Sequence, residues 1–186
     1  MFKYLLKKEI YKTATSTIYK HKDSIIKKTS NNEYNIIKNL NHKNIMKLQD
    51  YYKDGENDFI VMKNYPFGDL HYNLYNKIIN KYSYDDLLYD IINPISYLHS
   101  NNIVHMDIKP ENYLVNYNKN NNIELILFDF NLSKFHTSNY YDLKPLLNPV
   151  GTKHFVAPEV LEYQYSKSSD IYSLGSMLYL IYTNQL

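Results

Sequence analysis

Within one octet, His105-Met106-Asp107-Ile108-Lys109-Pro110-Glu111-Asn112, a carboxylate, an ammonium and a carboxamide lie two to three positions apart. A second carboxylate, Asp129, follows twenty-two residues after Asp107, in Phe128-Asp129-Phe130-Asn131, where an apolar run ends. Gly151-Thr152, Ala157-Pro158-Glu159 and Ser169-Asp170-Ile171-Tyr172-Ser173-Leu174-Gly175 come after it in that order. Such groups orient a reactant and neutralise charge, which is most of what phosphoryl transfer asks of a protein. The chain has no cysteine. Disulfides, thiolate zinc sites, iron–sulfur clusters and a cysteine nucleophile are thereby excluded.

Taken together and in order, these segments resemble a eukaryotic-type serine/threonine protein kinase. The resemblance implies that Asp107 accepts or orients the proton of a substrate hydroxyl and that Lys109 reaches the transferring phosphoryl group. It implies that Asn112 and Asp129 hold Mg2+ through hard oxygen ligands, and that Thr152 supports Asp107 and Lys109. The Asp-x-Lys form of the loop and the Gly-Thr pair fit the serine/threonine branch.

The N-terminal half extends the resemblance. Ser24-Ile25-Ile26-Lys27 is similar to the strand that presents the ATP lysine, with Lys27 on the phosphates and Glu33 as the helix carboxylate that holds it. Lys27 and Glu33 are only six positions apart, so a loop and the first turns of that helix are expected to be missing. The run Phe59 to Leu70 resembles the last small-lobe strand and hinge. Met62 would guard the back of the adenine pocket, backbone groups of Lys63 and Tyr65 would bond adenine, and Asp69 would reach the ribose. Asp69 and Glu111 also stand where some kinases hold basic side chains of a substrate. Leu114 would form the pocket floor, Ile10 and Ile18 its roof, and Ile25 would narrow it over adenine. As residue types, these apolar positions fit an ordinary core equally well.

Several positions depart from the family pattern. Ile10 to Tyr19 occupies the place of the glycine-rich loop without one glycine, with Tyr11, Thr13 and Ser16 at the three glycine positions. That removes the residue type that best permits close backbone approach to phosphate. Met106 stands where the family has arginine, and all 21 basic Lys-or-Arg residues are lysine. Bidentate pairing with a phosphorylated activation loop is therefore unavailable. Activity is expected not to require phosphate on Ser133, Thr137, Ser138, Tyr140 or Tyr141. Asn131 replaces a glycine and is expected to tolerate left-handed backbone angles. Phe130 and His105 would join an apolar column between the lobes, with Ile37 above and Asp170 anchoring it below. Glu159 lacks the arginine that the family places opposite it. The sequence ends at Leu186, soon after the helix that begins near Asp170, short of several helices usual in the family. A truncated gene product is one reading of this. The other expectation is self-association through the apolar face from Ile171 to Ile181.

The elements that must position these groups follow from periodicity. Tyr4 to Ile10, Ser16 to Lys20, Ser24 to Lys28, Ile45 to Tyr52 and Asp58 to Lys63 read as strands, with a short helix from Asn31 to Leu40. Pro66-Phe67-Gly68 ends this pattern. Helices follow at Leu70–Lys77 and Ser83–Ser100, the latter capped by Ser83 and kinked at Pro94. Tyr113–Val115 and Ile123–Phe128 flank a polar turn, and helices close the chain at Pro158–Tyr163 and Ser169–Tyr182. The fold class is thus α+β, in two lobes: residues 1–65 form a small antiparallel ATP-binding lobe, and residues 66–186 a mainly helical lobe with the catalytic and activation segments.

Composition narrows the setting. With 44% hydrophobic residues a packed core is affordable, and with 24 Asn and 22 Tyr the usage follows A/T-rich codons. Such usage is frequent in large DNA viruses and some protists. A net charge of +2 with dispersed lysines indicates a solvated surface and no nucleic-acid partner. No apolar stretch reaches membrane-spanning length, and the first twelve residues do not form a signal peptide. The expected setting is cytoplasmic, a host cytoplasm if the source is viral. The leading expectation is an ATP- and Mg2+-dependent kinase acting on a protein substrate. A pseudokinase, a binding or scaffold module with little turnover, is the alternative.

Overall fold

The computed structural model describes residues 4, 8–12, 17–29, 31–78 and 84–183. Five antiparallel strands open the chain: β1 (Lys8–Lys12), β2 (Thr17–His21), β3 (Ser24–Thr29), β4 (Leu48–Asp54) and β5 (Asn57–Lys63), in spatial order β1-β2-β3-β5-β4. Helix α1 (Asn31–Ile37) follows β3. β5, paired between β3 and β4, carries the run Phe59-Ile60-Val61-Met62, all four buried, because Ile60 and Met62 pack into one apolar cluster and Phe59 and Val61 into another. β4 and β5 meet through Gly55-Glu56, where Gly55 takes φ +58.

β4 starts three residues later than its periodicity suggests. Ile45 instead bridges Leu127 in the second half of the chain. Asn44 secures this seam: its carbonyl accepts from the Leu127 N–H at 2.8 Å, and its side-chain amide donates to the Leu125 carbonyl at 2.8 Å.

Two helices follow the sheet, α2 (Leu70–Tyr75) and α3 (Tyr84–Ser100). Leu87, Ile91, Ile95 and Leu98 of α3 recur on one helical face, and all are buried. α3 runs through Pro94 as one helix, although proline removes one backbone donor. The proposed Ser83 cap lies outside the described residues, while Asp85 and Asp86 occupy the first turn as expected.

Next come β6 (Ile103–Val104), a 3-10 turn at Pro110–Asn112, and the hairpin of β7 (Tyr113–Tyr117) and β8 (Ile123–Leu127). The asparagine-rich turn between them has a mechanical role: Asn118 Oδ1 accepts from the N–H groups of Asn120 and Asn122, and Asn121 sits at φ 60. β9 (Lys134–Phe135), β10 (Lys144–Pro145), α4 (Pro158–Leu161), β11 (Gln164–Tyr165) and α5 (Lys167–Thr183) complete the order. β9 pairs with β6, and β10 with β11, so the segment from 131 to 158 is held at two short ladders.

One core unites both halves. Ile36, Ile37 and Ile60 from the sheet side join Ile91, Leu98, Leu127, Phe130, Leu174 and Met177 in a single buried cluster. Ile171, Tyr172, Tyr179 and Tyr182 of α5 stay exposed.

Candidate active site

Asp107 sits at the centre of a short polar circuit. Thr152 Oγ1 donates to Asp107 Oδ1 at 2.8 Å and accepts from Lys109 Nζ at 2.7 Å. Lys109 Nζ also stands 2.9 Å from Asp107 Oδ2. Asn112 Nδ2 donates to the Asp107 carbonyl at 2.7 Å and to Oδ2 at 3.0 Å. The carboxylate is thus oriented from three sides. The 3-10 turn begun by Pro110 brings Asn112 back onto Asp107, and a loop 45 positions along the sequence supplies Thr152.

Asp170 anchors this loop from below. Its carboxylate accepts from the backbone N–H groups of His105 at 2.8 Å and Met106 at 2.9 Å. Met106 lies at φ 71, an uncommon angle for a side-chain-bearing residue, and the two bonds to a buried carboxylate hold it there. Gly151 is pressed against the same turn: at its φ of +103 a Cβ would lie 3.1 Å from the Met106 carbonyl oxygen.

His105 donates from Nε2 to the Phe128 carbonyl at 3.1 Å and meets the Phe130 ring edge-on, 5.0 Å between centroids. Phe130 and Ile37 belong to the same core cluster, as the apolar column requires.

The second centre lies across the interlobe cleft. Lys27 Nζ is 2.8 Å from Glu33 Oε1 and 2.6 Å from Asp129 Oδ1. Lys27 and Glu33 are 4% and 0% exposed. The short spacing does not prevent the pair, because α1 starts two residues after β3 and puts Glu33 in its first turn. Thr29 Oγ1 donates to the other Glu33 oxygen. Burial alone would lower the Lys27 ammonium, but the Glu33 and Asp129 carboxylates raise it above its usual range. Burial pushes Asp129 up, and the Lys27 charge and hydrogen bond overcome this and hold its carboxyl below the usual range. Asp129 itself carries the left-handed backbone, at φ 63; Asn131, expected to do so, does not. Asn131 contributes its backbone N–H to the Asp129 carboxylate instead.

Lys27 and Asp129 open onto a cavity of about 450 Å3 between the lobes. Ile18, Ile25, Met62, Lys63, Tyr65 and Leu114 line it, as the sequence suggests. Ile10 does not. It is the extra residue of a bulge in β1, where Glu9 pairs with Tyr19 and Tyr11 with Ile18, so it is 50% exposed and Tyr11 lines the cavity in its place. Thr13 and Ser16 lie outside the described residues. Met46, Asn64 and Phe128 also line the cavity without having stood out in the sequence. Asp69 bridges Leu114 of the cavity floor through its backbone, and its carboxylate caps α2, accepting from the Tyr72 N–H at 2.8 Å. Glu111 faces a second groove, of about 770 Å3, with His71, His154 and Tyr172, and its Oε2 is buried without a partner there.

A family profile described as protein kinase domain matches residues 2–186. The chain belongs to the protein kinase domain family. It is 31% identical over 154 residues to calcium-dependent protein kinase 4 of Plasmodium falciparum (isolate 3D7), which covers 80% of this chain and 28% of that protein. It is 36% identical over 155 residues to myosin light chain kinase A of Dictyostelium discoideum, covering 80% and 50% of the two chains. Calcium/calmodulin-dependent protein kinase type 1 of Caenorhabditis elegans is 32% identical over 156 residues, covering 81% and 42%. The chain thus spans 28% to 50% of the length of these relatives.

Within this kinase domain, two contacts were not visible in the sequence. Glu159 is not unpartnered, since Ser169 Oγ donates to its Oε1 at 2.6 Å. Ser133 is fully buried and donates to the His105 carbonyl at 3.0 Å, so it braces the Asp107 loop and is no surface hydroxyl. Met106, in the place of the family's arginine, packs in an apolar cluster with Val104, Ala157, Val160 and Tyr165. Among the described residues no helix is long and apolar enough to cross a membrane.

Proposed function

We propose that the chain is a serine/threonine protein kinase that transfers the γ-phosphate of ATP to hydroxyl groups of proteins. The supporting observation is the convergence of Asp107, Lys109 and Thr152 on one circuit, together with the buried Lys27–Asp129 pair that lines the cavity. The cavity volume suits a nucleotide-sized ligand. The carboxylate of Asp129 and the carboxamide of Asn112 are hard oxygen donors, the set that Mg2+ takes. When bound, held by Asp129 and Asn112, that ion would supply positive charge to neutralise the phosphates.

The chain's own groups have separable tasks. Ile18, Ile25, Met62 and Leu114 enclose an apolar slot for the base, and Lys27 presents its ammonium to the phosphates. Lys27 now shares its charge with Asp129 at 2.6 Å, and nucleotide binding would redistribute that contact. Asp107 takes the hydroxyl proton of the substrate, oriented by Asn112 and Thr152. Lys109, tethered by Thr152, steadies the transferring group. Glu111, with one buried oxygen unpaired, favours a substrate that brings a cationic side chain to that groove. The use of ATP as donor supports a setting inside a cell, its own cytoplasm or, for a viral source, a host's.

The deciding experiment follows labelled γ-phosphate from ATP into a generic protein, comparing the chain with Asp107→Asn. Equal incorporation would remove the catalytic reading. A second reading, a pseudokinase, is favoured by the glycine-free segment from Ile10 to Tyr19. Its signature is a Mg2+-dependent thermal shift with ATP and no transfer.

A further inference from the structure

Tyr140, in the segment between Asp129 and Thr152, reaches away from its own neighbourhood to the end of α3. Its hydroxyl lies 3.2 Å from His99 Nδ1, and the two rings meet edge-on, 5.5 Å between centroids. His99 is buried, and its Nε2 lies 2.9 Å from Asp170 Oδ2. That same carboxylate takes the backbone N–H groups of His105 and Met106.

A carboxylate only accepts, so His99 Nε2 carries the hydrogen toward Asp170. In the tautomer with its hydrogen on Nε2 alone, Nδ1 accepts from the Tyr140 hydroxyl. Burial raises the Tyr140 phenol above its ordinary range, with the Asp170 charge adding to this, so the hydroxyl keeps its proton at neutral pH.

We propose that Tyr140 and His99 form a hydrogen-bonded clasp through which the activation segment positions the catalytic loop, resting on the kinase reading above for its effect on transfer. Four links run from Tyr140 to the loop: Tyr140 to His99, His99 to Asp170, and Asp170 to the N–H groups of His105 and Met106. Met106 is the residue at which an arginine would otherwise couple loop and segment by charge. Here its side chain is apolar and the coupling passes through its backbone N–H. Tyr140 and His99 are positioning residues, since neither touches the reacting atoms. The clasp ties the order of the segment to the order of the Asp107 loop without any phosphate.

The test compares Tyr140→Phe, which keeps the ring and removes only the hydroxyl, with Tyr141→Phe as control. Tyr141 is exposed and outside the line. Two readouts are independent of turnover. Amide hydrogen exchange at His105 and Met106 should be about threefold to tenfold faster in Tyr140→Phe, the factor expected for one lost hydrogen bond. The His99 Nδ1 nitrogen resonance should move toward that of an acceptor without a donor. Tyr141→Phe should match the wild type in both. If either readout in Tyr140→Phe stays at its wild-type value, the clasp is overturned. In a chain that transfers phosphate, kcat should fall by about the same factor, with KM for ATP unchanged. A wild-type chain without transfer would defeat the proposed function, while exchange and resonance would still decide the clasp.

Discussion

Lys27 Nζ lies 2.8 Å from Glu33 Oε1, across only six positions of sequence. The turn from β3 into α1 is so short that strand end and first helical turn share one buried ion pair. Asp129 joins the pair from the other lobe. Removing one partner of a buried pair leaves a charge with too little compensation. Glu33→Ala should therefore cost about 3–5 kcal/mol in chemical denaturation. Lys27→Met leaves both the Glu33 and the Asp129 carboxylates without their cation, so it should cost at least as much and should abolish the ATP-dependent thermal shift.

The same cluster sets a pH window. Asp129 is held below its ordinary value, near 3.8, so its contribution is present above that pH and is lost as acid protonates it. Lys27 is held above 10.5, so its contribution is complete below that pH and is lost as base deprotonates it. Stability should be flat between these limits for these groups. In Asp129→Asn the acid limb of a Tm-against-pH profile should become shallower, and an unchanged limb would count against the pairing.

Thr152 joins Asp107 to Lys109 through one hydroxyl. Thr152→Ala should lower kcat by about tenfold or more, the loss of two charge-assisted hydrogen bonds, and leave KM for ATP nearly unchanged. Thr152→Ser keeps the hydroxyl and should restore most of the rate. A serine variant as slow as the alanine one would assign the effect to packing.

A Cβ on Gly151 would lie 3.1 Å from the Met106 carbonyl oxygen, tighter than an ordinary contact. Gly151→Ala should destabilise by about 1–2 kcal/mol through its left-handed backbone alone. The contact with Met106 should add a loss of transfer, because that carbonyl belongs to the catalytic loop.

Met106 is 6% exposed among apolar neighbours. Met106→Arg recreates the family's residue type, yet it should destabilise by several kcal/mol and not activate, since it would put a cation among apolar side chains. Melting temperature and transfer rate should fall together.

How much of this was legible in the sequence depends on distance along the chain. Local periodicity located β2, β3, β5, α3 and the β7–β8 hairpin, because burial on one face repeats at the period of the element itself. The motif order placed Asp107, Lys109, Asn112, Asp129, Thr152 and Asp170, because each sits in a short segment whose backbone geometry is set nearby. What failed needed a neighbour from elsewhere. Ile10 lost its place in the cavity to Tyr11 because one bulged residue in β1 turns every later side chain over. That Asp69 also caps α2, beside its bridge to Leu114, needed the helix start to be placed first. Ser169 took Glu159, Ser133 turned inward beneath His105, and His99 linked Tyr140 to Asp170. By itself the sequence determined which chemical groups are present and in what order. Only the tertiary structure decided which partners they hold, because a buried polar group takes whatever donor or acceptor packing brings within about 3 Å.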